Sequence, residues 1–178
     1  LLKALHQIKG LERLKISSIE PNLLTDEILE LAGESDRLVP HFHVPLQSGS
    51  DEMLSKMRRR YRSDLYRDRV AKILAVMPDA AIGVDVISGF PGETQAHFLE
   101  TVALLEELPI TYIHGFTYSE REDTPAAVFD QRIDRGERTR RTRVLRELSA
   151  KKTAVFADRF EGQVRPVLFE NTQSDGKL

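Results

Sequence analysis

The sequence predicts an α/β fold: about four consecutive parallel βα units, forming part of a (βα) barrel. Three observations carry this. Short apolar strand-like runs alternate with helical periodicities along the 178 residues, and sustained alternation implies a parallel sheet with right-handed crossovers. Polar and glycine-rich clusters follow each strand-like run, where parallel α/β folds bind ligands. The length suits one well-buried core with little left for a second domain.

The elements follow in order. Residues 1–8 read as the last turns of a helix, closed by Gly10. Residues 13–17 alternate as a short strand and lead into Ser17, Ser18 and Glu20. Thr25 is placed to cap a helix through Ala32, with Asp26 and Glu27 in its first turn. A strand over 41–46 leads into Gln47, Ser48 and Ser50. Helices are expected over 51–57 and 64–77; in the second, Tyr66, Val70, Ile73, Leu74 and Met77 share one face. A strand over 81–88 carries Asp85 and ends in Ser88, Gly89, Gly92 and Glu93. Thr94 caps a helix to about residue 108, with Phe98, Thr101, Val102 and Leu105 on one side. A strand over 110–118 ends in Tyr118, Ser119, Glu120 and Arg121. A long basic helix over 137–160 has Val144, Leu145, Leu148, Val155 and Phe156 as its apolar stripe.

Composition excludes several classes. Hydrophobic content of 40% and charged content of 30% are those of an ordinary soluble protein. A net charge of −2 does not by itself mark a nucleic-acid binder. No apolar stretch approaches the roughly 20 residues of a membrane span. No signal peptide is visible and the chain has no cysteine, so cytoplasm is the default compartment. Without cysteine, the chain alone makes no thiolate-ligated metal site or iron–sulfur cluster. The start without Met and the unpaired strand-like run over 162–170 suggest a piece of a longer protein.

Several motifs invite chemistry, each with a plainer reading. Ile87-Ser88-Gly89-Phe90-Pro91-Gly92-Glu93-Thr94 is a glycine-rich strand-to-helix turn whose backbone and following helix start offer N–H groups to a ligand; the alternative is a plain tight turn. It is no Walker loop, because no Gly-Lys-Ser/Thr follows. Pro45-Leu46-Gln47-Ser48-Gly49-Ser50 sets an amide and two hydroxyls on a turn, although Ser50 or Asp51 also suits the cap of the next helix. Asp85, inside an apolar strand, needs a partner or a ligand. His41 and His43 point to one face; a metal is the less favoured reading, and no metal site is expected. Arg58-Arg59-Arg60 and the basic segment 132–152 read first as solvated faces, and second as contacts to RNA phosphates.

The chain resembles the radical S-adenosylmethionine (SAM) methylthiotransferases. The resemblance rests on Ile16-Ser17-Ser18-Ile19-Glu20-Pro21; on His43-Val44-Pro45-Leu46-Gln47-Ser48-Gly49-Ser50 with Met57-Arg58-Arg59-Arg60-Tyr61; on the run Gly83 through Thr94; and on Tyr118-Ser119-Glu120-Arg121. These stand in family order across about residues 10–126. Arg58-Arg59-Arg60 and the Arg121 motif without a following proline most resemble the branch acting on threonylcarbamoyl-adenosine at position 37 of tRNA. The isopentenyl-adenosine branch and the branch acting on a ribosomal protein match less well.

The resemblance implies a radical SAM TIM-like barrel, of which residues 1–160 hold the last four strands. Residues 161–178 resemble the opening of a β-barrel RNA-binding (TRAM) domain. It implies transfer of a methylthio group to C2 of the modified adenosine, with SAM and [4Fe–4S] clusters whose ligands lie outside this chain. Ser17, Ser18, Glu20, Gln47, Ser48, Asp85, Gly89, Pro91 and Gly92 would bind the ribose and adenine side of SAM. Arg59 and Arg121 would face the tRNA substrate. An incomplete barrel exposes a strand edge, so self-association is expected. Two other readings compete: a metal-independent TIM-barrel aldolase or isomerase using Asp85 or Glu20, disfavoured because no strand end carries a lysine; and a non-catalytic RNA-binding module centred on the basic helix.

Overall fold

The computed structural model describes residues 1–121, 124–129 and 131–166. The elements run α1 (Leu2–His6), β1 (Leu14–Ile16), α2 (Asp26–Glu34), β2 (Leu38–His43), α3 (Asp51–Lys56), α4 (Ser63–Val76), β3 (Ala81–Ser88), α5 (Gln95–Glu107), β4 (Tyr112–Thr117), a short 3-10 turn (Pro125–Val128) and α6 (Arg135–Asp158). The strands form one sheet in the order β1-β2-β3-β4, and every pairing is parallel. This is the expected partial βα barrel.

The sheet is two-faced because side chains alternate. Phe42, Val44, Ile82, Val84 and Val86 are buried with Leu29, Tyr66, Val70, Ile73, Phe98, Leu104, Leu105 and Leu145 from α2, α4, α5 and α6. The alternate residues, His41, His43, Asp85, Tyr112, His114 and Phe116, occupy the opposite face and are only partly covered or exposed. The polar face is therefore the one opposite the helices.

Local chemistry sets the helix ends. Thr25 Oγ1 accepts from the Ile28 N–H, and Asp134 Oδ2 accepts from the N–H groups of Gly136 and Glu137. Thr94 forms a capping box with His97 in place of the usual Glu or Gln. Ser50 occupies the cap position of α3 without a side-chain cap bond. Asp51 instead caps the next helix, its Oδ1 accepting from the Ser63 N–H at 2.8 Å. The expectation that Ser50 or Asp51 caps α3 is corrected: the Asp51 carboxylate turns outward to α4, where Arg62 also reaches it.

The second strand starts three residues earlier than expected and ends at His43, because Pro45 has no N–H for the ladder. The chain nonetheless stays against β3. Val44 N–H donates to Gly83 O, and Leu46 and Gln47 N–H both donate to Asp85 O. Tyr61 Oη donates to Pro45 O and Leu46 O, and Tyr66 Oη to Val44 O. Burial pushes the Tyr61 phenol up to about 12, with Glu20 adding to that and Arg59 opposing it.

In α6 the expected stripe is only partly right. Leu145 is buried, but Val155 is 66% exposed. The first turns dock instead through Arg138, Arg141 and Thr142, which are buried. The expected strand over 162–170 is absent from residues 163–166, and its remainder lies outside the described residues, as does most of the 161–178 domain reading.

Candidate functional site

Two adjacent N–H groups, those of Leu46 and Gln47, meet one carbonyl at Asp85. This is bulge geometry, which bends a strand and re-aims a side chain. Gln47 takes a left-handed backbone with φ of 67°, a conformation costing a non-glycine residue on the order of 1–3 kcal/mol. The surrounding bonds hold it: its N–H to Asp85 O, its own carbonyl to the Ile87 N–H, and a bridge to Val86. The result turns Gln47 toward the carboxyl ends of β3 and β4.

There it lines a cavity of about 490 Å³ with Asp85, Ile87, Phe90, Phe116, Tyr118, Ser119 and Arg121. Aromatic and aliphatic walls with few polar groups are the ordinary make-up of a small-molecule site. Among the described residues, the buried Tyr118 Oη has no hydrogen-bond partner, unusual for a buried polar atom. Below the cavity, Asp85 Oδ1 lies 2.8 Å from His43 Nε2 and 3.4 Å from His114 Nδ1. His41 Nε2 is 2.9 Å from Tyr112 Oη. Burial pushes the His41 imidazole below its ordinary value, with help from Lys15 and His43.

The structure thus brings Gln47, Asp85 and Arg121 together and leaves the other expected site residues outside the cavity lining. Ser17 and Ser18 are exposed on the loop after β1. Ser48 is fully buried, its hydroxyl engaged with Thr101 Oγ1 and the Ser50 N–H. Its fit to a ligand role is therefore poor, because the hydroxyl closes the fold. Glu20 and Arg59 form a 2.7 Å ion pair, so the expected acceptor and the expected cation are partners of each other.

The glycine-rich turn proves to be a clasp. Gly89 and Gly92 have φ of 78° and 84°, and Pro91 is buried between them. Four of the expected free N–H groups are occupied: Gly89 by Glu93 Oε2 at 2.7 Å, Gly92 by Gln131 O, Thr94 by His97 Nδ1, and His97 by Thr94 Oγ1. These four are closed to a ligand. At Gly89 the reason is Glu93, named above among the strand-end polar groups but not as the residue that closes the turn. It is 3% exposed and also accepts from Arg141 Nη1 at 2.6 Å. Its spacing, four residues after the first glycine of the turn, was the available signal.

The basic helix is committed inward through part of its charge. Arg138 pairs with Glu120 at 2.7 Å and donates to Ile133 O and Tyr118 O. Arg140 and Arg141 share Glu137, and Lys152 donates to Glu106 O and Leu108 O. These arginines hold the Glu120 and Glu137 carboxyls down to about 2. The pairing with Glu120 fixes the loop that carries Arg121 to the cavity rim. These contacts take Arg138, Arg141 and Lys152 out of an RNA-binding face centred on the helix, and leave Arg135, Arg143, Arg146 and Lys151 exposed. Among the described residues, no helix is long and apolar enough to cross a membrane.

A parallel sheet covered on one face, with a strand-end cavity, defines a barrel-type ligand-binding domain. Residues 1–105 match the model of the radical SAM superfamily, and the chain belongs to that family. It is 38% identical over 164 residues to the threonylcarbamoyladenosine tRNA methylthiotransferase MtaB of Bacillus subtilis, covering 92% of this chain and 36% of that protein. It is 39% identical to a tRNA-2-methylthio-N(6)-dimethylallyladenosine synthase of Clostridium botulinum, covering 98% of this chain and 39% of that one. The synthase of the same name from Thermobifida fusca is 42% identical over 89% of this chain and 33% of its own. The chain therefore spans between a third and two fifths of the length of these relatives. Among solved structures, the Escherichia coli coproporphyrinogen III oxidase HemN, described as a radical SAM enzyme, superposes with a TM-score of 0.57 at 15% identity. That match covers 83% of this chain and 32% of HemN, and shows the shared fold.

Proposed function

We propose that this chain forms the later part of the catalytic barrel of a tRNA methylthiotransferase, acting at C2 of a modified adenosine at position 37. The observation that carries the reading is the strand-end cavity in a chain whose relatives bear that activity. SAM fits the residues present. Ile87, Phe90 and Phe116 offer an apolar slot for a flat base, Gln47 and the unpartnered Tyr118 Oη supply polar contacts, and Asp85 lies at the floor. When bound, SAM supplies the methyl group and the 5′-deoxyadenosyl radical. The bulge at Gln47 keeps the amide aimed into the slot without reorganisation. The iron–sulfur clusters of such enzymes do not fit this chain, which has no cysteine. Ser17, Ser18, Gly89, Pro91 and Gly92 lie outside the lining of this slot, so the proposed SAM contacts rest on Gln47, Asp85 and the apolar walls.

The finer substrate reading, threonylcarbamoyl-adenosine, is favoured by Arg121 at the cavity rim. A threonyl carboxylate is anionic and pairs with guanidinium, whereas a dimethylallyl group offers nothing to it. In the full-length enzyme, Arg121→Ala is expected to lower kcat/KM for threonylcarbamoyl-adenosine tRNA about tenfold or more, the roughly 1.5–3 kcal/mol of a charge-assisted bond. Mass spectrometry of digested tRNA reads the methylthio product. Full turnover in the variant removes the assignment, and no methylthio product from the unaltered enzyme refutes the function. A cytoplasmic location follows from a tRNA substrate.

The sheet described here has β1 and β4 at its edges, and unpaired edges template association. The 178-residue chain is expected to self-associate. Light scattering that gives a monomer mass across a wide concentration range contradicts this.

A further inference from the structure

The group formed by His43, Asp85 and His114 comes from three neighbouring parallel strands. Asp85 stands directly opposite His114 in the β3–β4 register, and His43 opposite Gly83 in the β2–β3 register. Because Gly83 has no side chain, Tyr112 packs over it, and the space beyond is left to the two imidazoles and the carboxylate. One nitrogen from each histidine and one carboxylate oxygen all lie within 4.8 Å of one another.

We propose that these three residues form a binding site for a divalent first-row transition metal, of the Zn²⁺ or Fe²⁺ class. Imidazole nitrogen with a carboxylate oxygen is the donor set such ions take, and two histidines with one carboxylate leave positions open. Donors about 2.0–2.2 Å from a tetrahedral ion lie roughly 3.3–3.5 Å apart. The pairs at 2.8 Å and 3.4 Å need only small side-chain rotations to reach that spacing. The ligands sit on strands, and the Asp85 backbone is held further by two bonds to its carbonyl, so the backbone that carries the donors is in place before the ion arrives. His114 is 54% exposed and Asp85 lines the cavity. An open coordination position would therefore face the cavity and take water or an oxygen of the molecule held there. Tyr112, packed against His114, and His41 beyond it supply no further acid, so the ion would be held by one carboxylate and two neutral imidazoles. The site shares Asp85 with the slot proposed for SAM, but its three donors need neither SAM nor an iron–sulfur cluster to hold the ion.

The test is titration of the 178-residue chain with Co²⁺, followed by its visible d–d bands. A cysteine-free chain gives no thiolate charge-transfer band to confuse them. One Co²⁺ per chain, displaced by Zn²⁺, is expected. His114→Ala, at an exposed position, is expected to weaken binding on the order of 100-fold. Asp85→Asn, which keeps a partner for His43, is expected to do the same. His6→Ala, remote from the group, is expected to bind as the unaltered chain does. Circular dichroism checks each fold. Failure to bind one Co²⁺ per chain, or binding unchanged in His114→Ala, overturns the proposal and leaves a hydrogen-bonded His–Asp–His group. Neither result bears on whether the full-length enzyme methylthiolates tRNA.

Discussion

Arg141→Leu is expected to cost on the order of 3–5 kcal/mol of folding stability at neutral pH, the loss that follows when one partner of a buried ion pair is removed. Arg141 donates to both the carboxylate and the carbonyl of Glu93 and to Glu137, and stacks over Phe98 at 5.3 Å. Without it, the Glu93 carboxylate keeps only the Gly89 N–H. Burial already pushes the Glu93 carboxyl above its ordinary value of 4.5, outweighing its partners. A raised acid contributes stability below 4.5 that is lost as pH rises through the folded value. In the variant the folded value climbs further, so the deficit is largest at pH 7 and narrows as pH falls toward 4.5. Urea unfolding at pH 7 and pH 5 measures both. A deficit of the same size at both pH values would mean lost packing, not a stranded carboxylate.

Gly49→Ala is expected to destabilise by about 1–3 kcal/mol and to weaken ligand binding in the cavity. A Cβ at this position would lie 2.6 Å from Thr101 Cα and 3.2 Å from Glu100 O. The obstacle is the backbone of α5, which cannot rotate away as a side chain can. The loop after β2 would have to lift, breaking the 2.9 Å bond from the Gly49 N–H to Thr101 Oγ1. Gln47 lies two residues back, and its strained backbone depends on that loop staying against β3. Thermal unfolding measures the first effect, and SAM binding by the full-length enzyme measures the second. Normal stability and affinity would show that the loop accommodates the methyl group without moving Gln47.

The fold was legible because period and punctuation are local. The run from Ala81 to Ser88 reads as a buried parallel strand and is one; Thr25 and Thr94 announce their helices and cap them. Of the expected site residues, Gln47, Asp85 and Arg121 line one cavity at the carboxyl ends of the strands. Less legible was which polar groups were already taken. Glu20 and Arg59 lie 39 residues apart, Glu93 and Arg141 48, and Asp85 is reached by histidines from two other strands.

The sequence by itself determined the order and type of the elements, the parallel alternation and the family, since each is written in short-range pattern. Only the tertiary structure decided that the glycine-rich turn is closed by Glu93, that the basic helix grips its own barrel, and that two histidines converge on Asp85. Hydrogen bonds and ion pairs act over about 3 Å, and which groups come that close is set by strand register and helix docking, not by position along the chain.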